Sequence, residues 1–170
     1  MTDELGDLVA AADGAMVVVT AHDPVGDERD GCLVGFHAQC SIDPPRYAVW
    51  LSVTNRTHRV ARSSSHLTVH FLAATDHALA ARFGGVTGDD LPNAGDSKLE
   101  QVDWVEGPGG VPVLQAVAHR FVGRIVAFDD EPEGDHSCVV LEPVEVVAPD
   151  RAEPPLRLSQ ASDIEAGHEA

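Results

Sequence analysis

Side chains able to do acid–base or nucleophilic work are present in this sequence, but not in the groupings such work needs. A hydrolytic serine sits on a sharp turn beside a histidine and a carboxylate, and no G-x-S-x-G elbow occurs. His66 and His70 are four apart and would share one face of a helix as metal ligands. The residues around them, Leu67-Thr68-Val69-His70-Phe71-Leu72, read instead as a strand, which separates the two imidazoles. His22, His37, His58, His77, His119 and His168 have no histidine or carboxylate at ligand spacing. Cys32, Cys40 and Cys138 form no C-x-x-C pair and read as small reduced hydrophobes, with no metal site. Neither a phosphate-binding G-x-x-x-x-G-K-[ST] loop nor a dinucleotide G-x-G-x-x-G loop is present.

Two short loops rich in hydrogen-bond donors remain. Gln39-Cys40-Ser41 and Thr54-Asn55-Arg56-Thr57 each follow an apolar strand. Hydroxyls and backbone N–H groups beside an arginine can hold a phosphate. The alternative is plain: Asn55 caps a helix and Arg56 is solvated.

The elements that must position these loops follow from periodicity. Residues 3–13 carry Leu5, Leu8, Val9 and Ala12 at helical spacing, with acids in the first turn where the helix dipole favours them. Ala15 to Ala21 and Gly31 to Ala38 are apolar runs joined by an acidic turn with Pro24 and Gly26, which predicts a hairpin. Pro44 and Pro45 stop the second run, and Arg46 to Val53 restarts as a strand apolar on both faces. Residues 55–64 read as a helix capped by Asn55 or Thr54, 67–73 as a strand, and 75–83 as a helix stopped by Gly84-Gly85. Val86 to Gly110 is loop-rich, and 111–148 returns to β with a turn at 131–136. Six or seven antiparallel strands with two or three short helices, and no strand–helix alternation, point to a closed antiparallel barrel.

Composition narrows the function classes. The 170 residues are 44% apolar, enough for one packed domain. Residues 1–150 are expected to form it, with 151–170 as a partly mobile extension. A net charge of −17 with no Lys/Arg run excludes a nucleic-acid binder. The longest uncharged run, Gly107 to His119, is broken by prolines and glycines, so no membrane span is expected. The opening Met1-Thr2-Asp3-Glu4-Leu5 lacks a basic leader segment, and a cytoplasmic protein is expected.

Six fragments, in order, resemble the flavin reductase-like domains of the FMN-binding split-barrel fold. They are Gly14-Ala15-Met16-Val17-Val18-Val19-Thr20, the stretch from Gly31 to the Ser41-Ile42-Asp43-Pro44-Pro45 turn, and Asn55-Arg56-Thr57-His58. Val69-His70-Phe71-Leu72 with Leu79-Ala80-Ala81-Arg82-Phe83, Asp96-Ser97-Lys98-Leu99, and Gly134-Asp135-His136 complete the set. The resemblance runs from about Gly14 to Ala148.

The resemblance implies a mainly β fold, a six-stranded antiparallel split β-barrel of Greek-key type with short flanking helices, paired as a homodimer. It implies FMN (or FAD or riboflavin) as cofactor and NAD(P)H as co-substrate, with a flavin-dependent monooxygenase as a further partner. By resemblance, Leu33, Val34, Gly35 and Phe36 lie along the flavin ring, Gln39, Cys40 and Ser41 reach its ribityl chain and phosphate, and Asn55, Arg56 and Thr57 cage the phosphate. Lys98 and His136 would approach the rim, with His136 the one candidate for a polar role beside the nicotinamide. The chain departs from the family at Gly35-Phe36-His37, where many members carry Ser-Ser-Phe, so hydroxyls near the ring are lost. The function implied is hydride transfer from NAD(P)H to flavin, a chemistry the cofactors themselves carry. Alternatives on the same barrel are a non-catalytic flavin-binding or storage protein and a member using a deazaflavin or haem.

Overall fold

The computed structural model describes residues 2–86, 97–151 and 153–167. Asp96 and His168, singled out above, lie outside them.

Seven strands form one antiparallel sheet: β1 (Val17–Asp23), β2 (Glu28–Val34), β3 (His37–Ser41), β4 (Arg46–Ser52), β5 (His66–Phe71), β8 (His119–Phe128) and β9 (His136–Val147). Their order is β2-β1-β5-β8-β9-β4-β3. The two end strands, β2 and β3, are consecutive in the chain, so the sheet curls until its ends meet. Only Gly35 and Phe36 separate them, and Trp50 N donates to Phe36 O at 2.9 Å, carrying the β3–β4 pairing one residue back toward β2. The mainly β barrel expected from sequence is the observed architecture. The strand count differs from six because the apolar run from Gly31 to Ala38 is not one strand: it breaks at Gly35-Phe36, leaves the β1 partner and continues along β4 as β3. A separate hairpin, β6 (Trp104–Glu106) with β7 (Pro112–Leu114), adds two more strands.

Alternation along each strand fills the barrel. Val17, Val19 and Ala21 of β1 meet Val49 and Leu51 of β4, Leu67 and Val69 of β5, and Val139 and Leu141 of β9 inside. Helix α2 (Arg56–Ser63) closes one end with Val60 and Ala61. Its start is fixed by Asn55, whose side chain accepts from Thr57 N at 3.0 Å. Val18 of β1 and Met16 just before it face outward onto a second core with Phe83 of α3 (His77–Gly84), Leu114 and Leu156.

That second core extends past residue 150. Leu156 is fully buried and pairs both ways, donating to Leu72 O at 2.9 Å and accepting from Met16 N at 2.9 Å. Helix α1 (Thr2–Ala12) is the exception to all this packing: Leu5, Leu8 and Val9 are 64%, 70% and 44% exposed.

Candidate functional site

Where the curled sheet meets itself, the outer edge of β2 has no strand beside it. Gly31 O points away from β1, since it accepts from Lys98 Nζ at 2.9 Å. Antiparallel alternation then turns the amide and carbonyl of Leu33 the same way, into the seam. A cavity of about 320 Å³ lies there. Leu33, Val34, Gly35 and Phe36 form one wall; Trp50 and Ser52 of β4, with His136 of β9, form the opposite one. Asn55 closes the end at the start of α2, and Met16, Leu158 and Ala166 cover the side.

The wall chemistry is aromatic and apolar with a few polar points. Phe36 meets the His136 ring edge-on, centroids 5.1 Å apart at 63°. His136 Nδ1 lies 2.7 Å from Asp135 Oδ1, which fixes the ring and leaves Nε2 for other partners. That hydrogen bond holds the Asp135 carboxyl below its ordinary range. Asp135 is itself anchored, its carbonyl accepting from Val53 N at 2.9 Å. Ser137, next along β9, pairs with His58 Nε2 at 2.8 Å, and burial holds the His58 pKa low. At the cavity floor, burial pushes the Cys32 thiol up to about 11, so it is no nucleophile at neutral pH.

The structure brings Leu33, Val34, Gly35, Phe36, Asn55 and His136 together around this cavity. Arg56 follows Asn55 but lies on the far side of the helix start, 3.6 Å from Glu28. Thr57 is fully buried and its hydroxyl donates to Asp30 Oδ2 at 2.9 Å, inward rather than toward the cavity. Lys98 is 2% exposed, its ammonium held by the carbonyls of Gly31 and Phe83 at 2.9 and 3.4 Å behind β2. Gln39, Cys40 and Ser41 are on the edge strand β3, where Gln39 Nε2 donates to Ser41 O at 3.1 Å; none of the three lines the cavity.

Trp50, Ser52, Met16 and Leu158 line it without having been singled out from sequence. The signal for the first two was available: with Val49 and Leu51 inside the barrel, Trp50 and Ser52 must face outward. No comparable signal marks Leu158, more than a hundred residues away.

An apolar slot with a free backbone edge on one side, aromatic rings on the other and a capped helix start at one end fits a flat heterocycle carrying a polar tail. Asn55 offers the amide at that end and His136 one ring nitrogen at the mouth. Among the described residues no group of three or more His, Cys, Asp or Glu side chains is arranged to hold a metal.

Residues 11–162 match the family model described as flavin reductase like domain. The chain is 27% identical over 136 residues to the reductase component of 4-hydroxyphenylacetate 3-monooxygenase from Pseudomonas aeruginosa, covering 79% of this chain and 74% of that one. It is 30% identical over 150 residues to an NADH:riboflavin 5'-phosphate oxidoreductase from Streptomyces pristinaespiralis, covering 88% and 80%. Among solved structures, the flavin reductase HpaC complexed with NADP+ superposes with a TM-score of 0.75 at 18% identity, covering 95% of each chain.

Proposed function

The chain belongs to the flavin reductase-like domain family, and we propose that it is an FMN-binding reductase that passes a hydride from NAD(P)H to flavin. The observation that carries this reading is the cavity at the barrel seam, where the unpaired edge of β2 faces Trp50 and His136. Bound flavin would supply the hydride acceptor, and no side chain need be activated.

The chain's own residues bind and orient. Leu33 presents its amide and carbonyl to the polar edge of a ring. Phe36 and Trp50 offer flat apolar faces and exclude water. Asn55 and the N–H groups at the start of α2 suit an anionic tail. His136, oriented by Asp135, can hold or release a proton at Nε2 at the mouth of the slot. FAD or riboflavin would meet the same ring contacts as FMN.

We place the active form as a homodimer. An isolated helix of α1's length is marginal in water, and its exposed Leu5, Leu8 and Val9 suit burial against a second copy. A cytoplasmic setting fits the free thiols of Cys32, Cys40 and Cys138, and no helix among the described residues is long and apolar enough to cross a membrane. The reductase component named among the relatives makes a flavin-dependent monooxygenase the natural recipient of reduced flavin.

The test is direct. Purified protein titrated with FMN is expected to quench flavin fluorescence, and NADH or NADPH added without oxygen is expected to bleach the yellow band. Failure to take up flavin overturns the reading; uptake without bleaching assigns a flavin-binding protein that is not a reductase.

A further inference from the structure

One side of the seam cavity is not built from strand. Next to Met16 it is closed by Leu158 and Ala166, which belong to a strap of chain running from Pro155 to Gly167. The root of the strap is firm, because Leu156 is fully buried and hydrogen-bonded to Leu72 and Met16. Beyond it the hold weakens. Leu158 N donates to Gly14 O at 2.9 Å, and among the described residues the strap backbone next reaches the rest of the chain at Gly167 N, 3.1 Å from Gly84 O. Between these points the strap bonds to itself, Gln160 N to Arg157 O and Ile164 N to Ala161 O, both at 3.0 Å. Past Leu156 its buried side chain is Ala161. A segment with so little buried surface opens at a lower free energy than strands held in a ladder.

A side-chain clamp stands out against this loose background. Asp13, between α1 and the approach to β1, turns at φ +47°, a left-handed conformation that a short polar side chain tolerates. Its carboxylate accepts twice from Ser159, from N at 2.8 Å and from Oγ at 2.9 Å. Its carbonyl accepts from Arg157 Nη1 at 3.1 Å. Leu158 is therefore gripped through both of its neighbours. A second fastening lies farther along, where His77 Nε2 meets Asp163 Oδ1 at 2.8 Å. These are exposed polar bonds, which water replaces at small cost.

We propose that the strap from Arg157 to Gly167 is a gate through which flavin enters and leaves the seam cavity, with Asp13 as the latch that holds it shut. This rests on the flavin reading of the seam. The strand walls cannot part without losing ladder bonds, whereas lifting the strap at Leu158 uncovers the side of the slot and leaves the barrel whole. Asp13 is then a positioning residue, acting on flavin through Leu158.

A gate and a plain wall differ in kinetics. Losing a wall contact speeds release, leaves entry unchanged and weakens affinity. Loosening a gate speeds entry and release by the same factor and leaves affinity where it was. The experiment is stopped-flow fluorescence with FMN on the wild type, Asp13→Gly, Asp13→Asn and Ser159→Ala. Glycine removes the carboxylate and keeps the left-handed turn. Both rates are expected to rise about five- to tenfold in Asp13→Gly, as for loss of a capping carboxylate. Ser159→Ala keeps the amide bond and should rise less, and Asp13→Asn should return toward the wild type. Hydrogen exchange reads the strap itself: the Leu158 and Ser159 amides are expected to exchange faster in Asp13→Gly, and those of β4 to stay unchanged.

Faster release with unchanged entry makes Leu158 a plain wall and overturns the gate. Unmoved rates beside a loosened strap overturn it too, and strap amides that exchange no faster overturn the latch. If Asp13→Gly fails to fold, by far-UV circular dichroism, Ser159→Ala carries the same comparison from the exposed surface of the strap. If the wild type takes up no FMN, the flavin reading falls and the gate with it; if FMN binds and the rates do not respond, the gate alone falls.

Discussion

The Thr57 hydroxyl donates to the Asp30 carboxyl across 2.9 Å of protein interior, joining the first turn of α2 to the middle of β2. Thr57 is fully buried and Asp30 is 1% exposed, so neither has water as an alternative partner. The bond therefore holds the helix start at a fixed distance from the strand that borders the seam cavity.

Removing that hydroxyl leaves a buried acceptor unmet. Thr57→Val is expected to lower the unfolding free energy by about 1–3 kcal/mol, with Thr57→Ser recovering most of it. Urea denaturation checks the stability. Titration with FMN and with riboflavin checks the position of the helix start: Thr57→Val is expected to weaken FMN more than riboflavin, because only FMN carries a phosphate to that end.

His70 makes stability fall in acid. It is fully buried, accepts from Leu114 N at Nε2 (2.9 Å) and so must donate from Nδ1 to Val18 O (3.1 Å), which is the neutral ring. Burial drives its pKa from the ordinary 6.5 down to about 3. The unfolded chain then binds the extra proton first, so stability present above pH 6.5 is lost as pH falls toward 3. Integrated over that window the loss is roughly 4 kcal/mol. His37 and His58, also lowered by burial, add in the same direction. Denaturation midpoints measured across that range should fall steeply in the wild type and less steeply in His70→Gln.

Gly110 admits no side chain. Its φ is +77°, and a Cβ there would stand 2.4 Å from His22 Nδ1. Gly110→Ala is expected to destabilise the protein by about 1–3 kcal/mol through strain alone. Its carbonyl is also the Nε acceptor of Arg29, whose guanidinium lies over the Trp104 ring, so the substitution should loosen that pair. Thermal melting and Trp104 fluorescence read the two effects separately.

Trp50 is the largest flat surface in the seam cavity. Trp50→Leu is expected to weaken flavin binding by about tenfold, given typical stacking contributions, and to leave bound flavin more fluorescent. Unchanged affinity would place the ring away from β4.

Much of this architecture was legible in the residues. The β-branched runs, the Pro44-Pro45 stop and the Asn55 cap located β1, β4 and α2 closely, because each rests on local sterics or a local hydrogen bond. The break at Gly35-Phe36 was hidden, since an apolar run reads the same whether its ladder partner stays or changes. The wall of the cavity was half legible. Leu33 to Phe36, Asn55 and His136 came from motif resemblance, whereas Trp50 needed the inside-outside parity of β4. The buried bonds of Thr57 and Lys98 could not be read, because a polar side chain in a donor-rich loop looks alike whether it faces solvent, a ligand or the core. Leu158 and Ala166 reach the site through contacts between distant parts of the chain: Leu156 with Met16 and Leu72, Leu158 N with Gly14 O, and Gly167 N with Gly84 O.

Those contacts order events during synthesis. The β1–β2 hairpin can pair early, but the wall that β4 shares with His136 of β9, and the side covered by Leu158 and Ala166, stay open until the last part of the chain has emerged from the ribosome. A half-made chain could therefore hold a dye only loosely, and firm cofactor loading belongs among the last steps of the molecule's maturation.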